Sequence, residues 1–339
     1  MDGFKQAIPD CGYDLLGQLS GSDLFDDCIV LCAPESWEMT ESQFPKGPKE
    51  IAVPKSMELK EIDSQVNGLP DAGTVFGIGG GTACDAAKMY AWRRGSRLVL
   101  VPTILSVDAP FTKSIGIRVN GRVRYVGEVF PEYLLVDLGL IQQAPNRLNR
   151  AGVGDILSIF TALFDWKLAA EHNGDVYEGK IARLALGLLE RMSEGGEQIR
   201  ECTEGGLRLL SDLYASEVEL CELMGNSRPE EGSEHYFAYC LEYCTQKRYL
   251  HGELIALAVV LTGIYQGQPV EDIVKWLDWV GVEFRPESIG ISRDEIIKAL
   301  VSLPEYLEQE LQLEYGIYHH KRMTERNALQ LIELFNQHI

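Results

Sequence analysis

The sequence is short of positive charge. It has 31 lysine and arginine residues against 51 aspartate and glutamate residues, which gives a formal net charge of −20. Binding to nucleic acid needs clustered basic side chains that displace counterions, and an acidic surface is repelled by anionic membranes. We therefore expect no nucleic-acid partner and no attraction to a membrane surface.

The sequence also lacks paired metal-binding cysteines and long apolar runs. None of its eight cysteines forms a C-x-x-C pair, which excludes a zinc ribbon or a thioredoxin-like motif. Several lie in apolar runs such as "CIVLC", where a free thiol is a small buried hydrophobe, and reduced thiols favour a cytoplasmic location. The longest apolar stretch, "LIALAVVLTGIY" from Leu254, is too short to span a bilayer. No basic segment followed by an apolar one stands at the N-terminus, so we expect neither a signal peptide nor integral membrane contact.

Both standard nucleotide-binding glycine motifs are missing as well. The G-x-G-x-x-G pattern would need a glycine where Thr82 stands, and no G-K-[ST] ending is present. What is present is "VFGIGGGTACDAAK", in which Gly79, Gly80 and Gly81 stand between a predicted strand and a predicted helix. Side chains are absent from the mouth of that helix, so its backbone N–H groups can meet a diphosphate. A tight turn that needs positive φ is the alternative.

Two patterns divide the chain. Up to about residue 145, short apolar runs alternate with helical patterns and predict strands buried on both faces. These runs are "CIVLC" (28–32), "EIAV" (50–53), "TVFGIG" (74–79), "RLVLVP" (97–102) and "YLLVDL" (133–138). Beyond them apolar residues recur every three or four positions, which is typical of helices. We predict an α/β domain with a mostly parallel, Rossmann-like sheet at 1–146 and an all-α domain at 147–339, with a cleft between them.

A separate pattern predicts a β-hairpin. In "IGIRVNGRVRYVG" the pair Asn120-Gly121 lies between two alternating runs, which is a strong signal for a two-residue turn. We expect this hairpin to leave the sheet near the edge that carries the ligand.

Five motifs in order resemble one superfamily. The segments "GIGGGTACDAAK", "VPTILSVDAPFT", "AGVGDILSIFTALFDWKLA", "GSEH" and "HGE" are similar to those of the iron-containing alcohol dehydrogenase and dehydroquinate synthase-like superfamily. Within it the chain most resembles the glycerol-1-phosphate dehydrogenases, followed by the glycerol dehydrogenases. The resemblance implies the dehydroquinate synthase-like fold, with a dinucleotide-binding first domain and a metal- and substrate-binding second domain. It implies a metal-dependent, NAD(P)-linked oxidoreductase that interconverts a small polyol or polyol phosphate and its ketone, such as dihydroxyacetone phosphate.

The resemblance also assigns roles to residues. The positions that match cofactor contacts are Gly79, Gly80, Gly81, Thr82, Asp85, Thr103, Ser106, Thr112 and Ser114. Asp108 matches a substrate contact that would orient a hydroxyl next to the reacting one. Asp155, His235 and His251 match the three metal ligands and, with Asp108, form the expected catalytic set.

The chemistry of the three ligand types agrees with this assignment. A histidine near a helix end is usually exposed or capping, so neither His235 nor His251 alone would indicate a metal. One carboxylate with two imidazoles suits Zn²⁺, which we expect, with Fe²⁺ or Ni²⁺ as alternatives. Three protein ligands leave positions open for substrate oxygens, and a bound metal lowers the pKa of a hydroxyl there. A hydride can then pass to the nicotinamide.

Tyr239 departs from the pattern of the glycerol-1-phosphate dehydrogenases, which usually have a further substrate-binding histidine at that place. A phenol donates a hydrogen bond but carries no positive charge near neutral pH, so an unphosphorylated polyol stays open as the substrate. Lys113 is a candidate phosphate contact, with solvated surface charge as the alternative. Ala33 stands where NAD-selective relatives often have an acid, so we expect NADP to be accepted as well as NAD.

Two other functions stay open. A sugar-phosphate cyclase of the dehydroquinate synthase type would share the fold, the cofactor and the metal position. Against it, such cyclases have a glutamate where Asp155 stands, and "DAPFTKS" lacks their glycine-rich, lysine-bearing segment. A non-catalytic protein on the same scaffold is disfavoured because every metal ligand is present. Apolar helix faces in the second half favour a homo-oligomer.

Overall fold

A computed structural model describes residues 9–310 and 313–339 of the chain. The chain falls into two compact units, the first ending at Asn149 and the second beginning at Arg150. The first eight residues, which contribute to the expectation of no signal peptide, lie outside the described residues. In the described part of the chain, no helix combines the length and the apolar character needed to cross a membrane.

The first unit contains all the strands of the described chain and six of its helices. The strands are β1 (Asp10–Gly12), β2 (Cys28–Cys32), β3 (Ile51–Ala52), β4 (Thr74–Gly79), β5 (Arg97–Pro102), β6 (Ser114–Val119), β7 (Arg122–Glu128) and β8 (Tyr133–Asp137). The helices are α1 (Leu15–Gln18), α2 (Pro34–Thr40), α3 (Leu59–Gly68), α4 (Gly81–Arg94), α5 (Leu138–Ile141) and α6 (Asn146–Arg150), the last of which ends at the first residue of the second unit. Two short 3-10 segments, Asp23–Phe25 and Glu41–Gln43, complete the unit.

Six of the strands form one parallel sheet in the order β1-β8-β5-β4-β2-β3. Every residue of β2 and β4 is buried, and so is every residue of β5 after Arg97, as is typical of parallel strands covered on both faces. The direction of winding reverses between β2 and β4, since β3 lies on one side of β2 and β4, β5 and β8 follow on the other. Ligands of open parallel sheets bind at the carboxyl ends of strands at such a reversal. The loops after β2 and β4 are therefore where a cofactor is expected.

Strands β6 and β7 form the predicted hairpin as a separate antiparallel pair. Its turn residues, Asn120 and Gly121, have φ angles of 53° and 79°, as a two-residue turn of this kind requires. The side chain of Glu58 anchors the turn by accepting a hydrogen bond from the backbone N–H of Gly121 at 2.6 Å.

The second unit is helical throughout its described residues. Its helices are α7 (Gly152–Leu157), α8 (Ile159–His172), α9 (Gly179–Glu194), α10 (Gly196–Arg200), α11 (Glu204–Met224), α12 (Ser233–Thr245), α13 (His251–Gln266), α14 (Glu271–Val280), α15 (Arg293–Glu308), α16 (Ile317–His320) and α17 (Glu325–His338), with a 3-10 segment at Pro286–Ile289. The parallel sheet followed by these helices confirms the predicted fold class. Helices α7 and α8 meet at Ser158, whose hydroxyl donates to the carbonyl of Glu230.

Helix α13 is the core of the second unit. Every residue from Gly252 to Gly263 is buried, and the helix packs against α7, α8, α12 and α17. A helix that is apolar on all sides must be surrounded by other helices. The apolar run that is too short for a bilayer is therefore the central helix of this unit.

Candidate active site

Three side chains of the second unit converge. Asp155 lies in α7, His235 in α12, and His251 is the first residue of α13. One carboxylate oxygen and one nitrogen from each ring all lie within 4.8 Å of one another. Nε2 of His251 is 3.3 Å from Oδ1 of Asp155, and Nε2 of His235 is 3.6 Å from the same oxygen. The structure thus brings together the three residues expected to bind a metal.

Two glycines allow this convergence. A Cβ on Gly154 would overlap the carbonyl oxygen of Gly252, and a Cβ on Gly252 would overlap that of Ala151. Helices α7 and α13 therefore cross with their backbones in contact. Asp155 directly follows Gly154, and His251 directly precedes Gly252. The crossing therefore brings the side chains of Asp155 and His251 to within hydrogen-bonding distance of each other.

The pKa values of Asp155 and His235 are both shifted by their mutual contact, each towards the charged form. Burial acts to raise the pKa of Asp155, but its charge interactions and hydrogen bonds with His251 and His235 hold that pKa below its usual range. Burial acts to lower the pKa of His235, but its hydrogen bonds with Asp155 and Glu234 raise that pKa well above the ordinary value. The site is therefore built around an ionised carboxylate that stabilises a nearby cation.

These residues fit a divalent cation. Ligands bound to Zn²⁺ at 2.0–2.1 Å in tetrahedral geometry lie about 3.3 Å from one another. The separations of 3.3 Å and 3.6 Å from the shared oxygen of Asp155 are close to that value. Two imidazoles and a carboxylate are also the donor types that Zn²⁺, Fe²⁺ and Ni²⁺ accept. Small shifts of these side chains would place all three ligand atoms at bonding distance from such an ion.

Sequence reasoning missed Glu234, which stands directly before His235. Its carboxylate is completely buried, and Oε1 lies 2.9 Å from Nδ1 of His235. Thr161, also missed, donates its hydroxyl to Oε2 of Glu234 at 2.6 Å. An acid next to a candidate ligand in the first turn of a predicted helix is the sequence signal that could have pointed to Glu234.

Tyr239 lies beside the three converging residues. It is one helical turn beyond His235 in α12, its ring centroid is 5.7 Å from the His235 ring, and it is 7% exposed. Its hydroxyl donates a hydrogen bond to Glu231. Electrostatic interactions with His235 and His251 act to lower the pKa of the Glu231 carboxyl. Burial raises the pKa of Glu231 above its ordinary value. The surroundings of His235 therefore contain a second acid that was not foreseen.

The glycine run forms the turn between β4 and α4 in the first unit. Gly79 has a φ of +148°, and a Cβ there would stand 3.0 Å from Cβ of Ala83. A Cβ on Gly80 or on Gly81 would meet the side chain of Ile104 at 3.1 Å or of Val107 at 3.0 Å. No described side chain caps the N-terminus of α4. The N–H groups at the start of α4 therefore receive no hydrogen bond from a capping side chain, which suits a diphosphate site.

The residues expected to contact the nicotinamide and ribose lie next to this turn. Thr103 donates its backbone N–H to the carbonyl of Gly79 at 3.1 Å, and its hydroxyl is 3.4 Å from that of Ser36 in α2. Thr103 and Ser106 are buried, whereas Thr82 is exposed in the first turn of α4. The loops after β2, β4 and β5 thus come together at the reversal of the sheet.

Asp85 is engaged inside the first unit. Its Oδ1 is 2.9 Å from Nζ of Lys88, which is fully buried and also donates to the carbonyl of Ser114 at 2.7 Å. Asp85 also accepts the backbone N–H of Gly116; burial raises its pKa, and Lys88 opposes that rise. The pair ties α4 to the hairpin. A contact from Asp85 to the cofactor stays a prediction.

The remaining candidate residues of the first unit lie after β5. The carbonyl of Asp108 accepts the backbone N–H of Phe111 at 2.7 Å, and the hydroxyl of Thr112 accepts that of Ser114 at 3.3 Å. Lys113 forms an ion pair with Glu128 at 3.3 Å. A phosphate bound by Lys113 would therefore compete with that carboxylate.

Comparison with known proteins gives matches of two kinds, the first to sequences. A model of the iron-containing alcohol dehydrogenase family matches residues 39–145. The glycerol-1-phosphate dehydrogenase (NAD(P)+) of Sulfurisphaera tokodaii is 32% identical over 251 residues, which cover 74% of this chain and 71% of that protein.

The fold has counterparts among solved structures. A glycerol dehydrogenase from Schizosaccharomyces pombe matches 98% of this chain and 92% of its own, with a TM-score of 0.69 and 17% identity. An NADH-dependent butanol dehydrogenase A from Thermotoga maritima matches 98% of each chain, with a TM-score of 0.72 and 15% identity. At these identities the likeness shows the fold.

Proposed function

Because the chain belongs to the iron-containing alcohol dehydrogenase family, we propose that it reduces dihydroxyacetone phosphate to glycerol 1-phosphate with NADH or NADPH. Membership makes it an NAD(P)-dependent dehydrogenase of a polyol or polyol phosphate. The phosphorylated substrate is supported by the name and the 32% identity of the Sulfurisphaera enzyme. The observation that carries the proposal is the convergence of Asp155, His235 and His251 within 4.8 Å.

Each of the two units supplies one part of this chemistry. In the second unit Asp155, His235 and His251 would hold a divalent cation, Zn²⁺ by the donor types. Bound there, the cation would supply Lewis acidity to a substrate oxygen, and a nicotinamide would supply the hydride. In the first unit the backbone of Gly79, Gly80 and Gly81 would bind the diphosphate of the cofactor.

Several finer points belong to the same proposal. Thr82, Asp85, Thr103, Ser106, Thr112 and Ser114 are proposed cofactor contacts, and Asp108, Tyr239 and Lys113 are proposed substrate contacts. The loop after β2 begins with Ala33, which would not repel the extra phosphate of NADP. A cytoplasmic location stays a prediction from the cysteines, and a homo-oligomeric state stays a prediction from the apolar helices of the second half. Leu184 and Leu186 of α9 are exposed, which is compatible with such an assembly.

One observation favours a second candidate, a dehydrogenase of an unphosphorylated polyol. Tyr239 hydrogen-bonds Glu231 beside His235. The ionised form of Glu231 would repel an approaching phosphate, whereas its carboxyl accepts a hydrogen bond from a hydroxyl group in either form. Glycerol or dihydroxyacetone would meet no such repulsion.

A single assay on metal-reconstituted protein separates the candidates. The protein is stripped with a chelator and reloaded with Zn²⁺, Fe²⁺ or Ni²⁺, and the absorbance of NADH or NADPH is followed with dihydroxyacetone phosphate and with dihydroxyacetone. We expect metal-dependent consumption of reduced cofactor with dihydroxyacetone phosphate and almost none in Asp155→Ala. Asp272→Ala, which removes a fully exposed acid of the same unit, should retain the activity.

The other outcomes contradict the proposal in different ways. Consumption with dihydroxyacetone alone would support the unphosphorylated substrate. Release of phosphate from a sugar phosphate without net cofactor consumption would support a cyclase. Full activity of Asp155→Ala would remove the proposed metal site from the reaction.

A further inference from the structure

The buried side chain of Glu234 contacts the proposed metal ligand His235 on the nitrogen that faces away from Asp155. Oε1 of Glu234 lies 2.9 Å from Nδ1 of His235, while Nε2 of His235 faces Asp155 at 3.6 Å. We propose that Glu234 is a positioning residue, which holds the Nδ1–H of His235 so that Nε2 stays free to bind the cation. This inference rests on the proposed function, because it assumes that His235 is a metal ligand.

The argument starts from the two nitrogens of a neutral imidazole, of which one carries a proton and the other a lone pair. Oε1 of Glu234 already accepts the backbone N–H of Gly232 and lies 2.9 Å from Nδ1 of His235, so in a neutral ring that binds a cation the proton lies on Nδ1. The lone pair then belongs to Nε2, the nitrogen that faces Asp155. Metal-binding histidines commonly use such an outer partner to fix the tautomer and the ring orientation.

Glu234 can perform this task because it is itself fixed. Oε2 accepts the hydroxyl of Thr161 at 2.6 Å, and Oε1 also accepts the backbone N–H of Gly232 at 2.6 Å. The side chain is 0% exposed, and its ion-pair partner is His235. The carboxylate is therefore held in place by α8 and by the start of α12, and water does not compete for the imidazole.

The two proposed imidazole ligands are held unequally. No residue in the described part of the chain hydrogen-bonds Nδ1 of His251, and the side chain of His251 is 28% exposed, against 8% for His235. Damage to the support of His235 should therefore reduce metal binding even though Asp155 and His251 are intact.

Glu234→Gln replaces the carboxyl group by an amide of nearly the same shape, so it tests the acidic group apart from the packing of the side chain. The amide oxygen can accept from Gly232 and His235 as Oε1 does. The amide nitrogen then faces Thr161, whose hydroxyl can turn to donate to the carbonyl of Ser158 at 3.1 Å. All three contacts can survive, but the carboxyl group is replaced by an amide of the same shape. Glu234→Ala removes the contacts as well.

Metal affinity is the readout, measured by competition between the stripped protein and a chromophoric chelator for Zn²⁺. Outer partners of metal-binding histidines contribute about 10- to 100-fold to metal affinity. We expect a loss near the lower end of that range for Glu234→Gln and near the upper end for Glu234→Ala. The visible spectrum of the Co²⁺-loaded protein, which reports ligand geometry, should change in Glu234→Ala.

Asp165→Asn is the matched control. Asp165 is also a fully buried acid, and it binds the same end of α12 by accepting the backbone N–H of Ser233 at 2.8 Å, but it does not contact His235. We expect this variant to be less stable to urea and to bind Zn²⁺ as tightly as the parent. Equal weakening in Asp165→Asn and Glu234→Ala would mean that Glu234 only stabilises α12, and would overturn the inference.

Asp155→Ala makes the two failures distinguishable. If Asp155→Ala binds Zn²⁺ as tightly as the parent, the metal does not lie at this site and the proposed function fails. If Asp155→Ala loses the metal while both Glu234 variants keep it, the proposed function stands and the positioning role of Glu234 is wrong.

Discussion

Gly252 and Ala151 are in backbone contact where α13 crosses α7. A Cβ on Gly252 would overlap the carbonyl oxygen of Ala151, so no other residue fits without moving the helices apart. Asp155 and His251, whose side chains are 3.3 Å apart, are carried by the same two helices next to this crossing. The separation of the helix axes therefore sets the separation of two proposed metal ligands.

Gly252→Ala should separate these ligands. The methyl group would force α7 and α13 apart, and overpacking of this kind costs about 1–3 kcal/mol of unfolding free energy. We expect that loss in urea unfolding together with at least a tenfold weaker affinity for Zn²⁺ in chelator competition. A variant that loses stability but keeps its full metal affinity would contradict the link between the crossing and the ligands.

Gly187→Ala provides the control for the previous substitution. Gly187 lies in α9 of the same unit, and a Cβ there would meet nothing within 4 Å. Alanine is favoured over glycine in a helix by about 0.5–1 kcal/mol, so this variant should be slightly more stable than the parent. Its affinity for Zn²⁺ should be unchanged.

Gly79→Ala should weaken binding of the cofactor. The φ of +148° at Gly79 is unfavourable for alanine, and the added Cβ would stand 3.0 Å from that of Ala83. The turn must shift, which moves the N–H groups at the start of α4 that are proposed to bind the diphosphate. We expect at least a tenfold higher dissociation constant for NADH or NADPH, measured by fluorescence or calorimetry.

Two controls accompany the cofactor-binding measurement on Gly79→Ala. Gly79→Ala should leave the affinity for Zn²⁺ unchanged, since the metal ligands belong to the second unit. Gly47→Ala, at an exposed glycine of the first unit whose Cβ would meet nothing within 4 Å, should change neither affinity. An unchanged dissociation constant in Gly79→Ala would show that the glycine run is a structural turn only.

Much of the fold follows from local pattern. Continuous apolar runs predicted β2, β4 and β5, and the Asn120-Gly121 pair predicted the hairpin, because these signals depend on neighbours in the sequence. Strand β1 was not predicted. Its three residues acquire strand geometry by pairing with β8, with Asp10 opposite Leu135, and such pairing has no local signature.

The candidate site likewise has a part that the sequence predicts and a part that it does not. The three ligand types could be assigned because the motifs around them resemble a known superfamily. The contacts of Thr161 with Glu234 and of Lys88 with Ser114 could not be predicted, since they join residues 73 and 26 positions apart. Such pairs are set by how separate helices and strands pack against one another, whereas a sequence motif contains only one of the two partners.

Asp165 should make the stability of the protein depend on pH in an unusual direction. Burial, together with the charge of Glu234, raises its pKa from 3.8 to about 6. Between these values the folded state holds a proton that the unfolded state has released, so stability falls as the pH rises. The contribution of Asp165 to the unfolding free energy should drop by about 1.4 kcal/mol between pH 5 and pH 7.

Urea unfolding of the Zn²⁺-saturated protein over this range tests the prediction. Asp165→Asn cannot titrate, so the difference in unfolding free energy between parent and variant should shrink as the pH rises from 5 to 7. Asp212→Asn, at an exposed acid of the same unit, should follow the parent throughout. A constant difference between the parent and Asp165→Asn would show that Asp165 stays ionised in the folded protein.

Tyr239→His should shift the substrate preference towards phosphorylated ketones. Tyr239 is buried beside His235 and hydrogen-bonds Glu231. A histidine there could become an imidazolium beside that acid and donate to a phosphate, and a hydrogen bond to a charged group contributes about 1.5–3 kcal/mol. We expect the ratio of kcat/KM for dihydroxyacetone phosphate to that for dihydroxyacetone to rise at least tenfold.

The comparison with Tyr239→Phe decides how this result is interpreted. Phenylalanine keeps the ring beside His235 but removes the hydroxyl that holds Glu231, so it should lower kcat/KM for both ketones without raising the ratio. If Tyr239→His and Tyr239→Phe change the ratio equally, the loss of the phenol and not the gain of an imidazolium is responsible. If neither variant changes the ratio, Tyr239 does not lie near the phosphate end of the substrate, and the discrimination must come from another group such as Lys113.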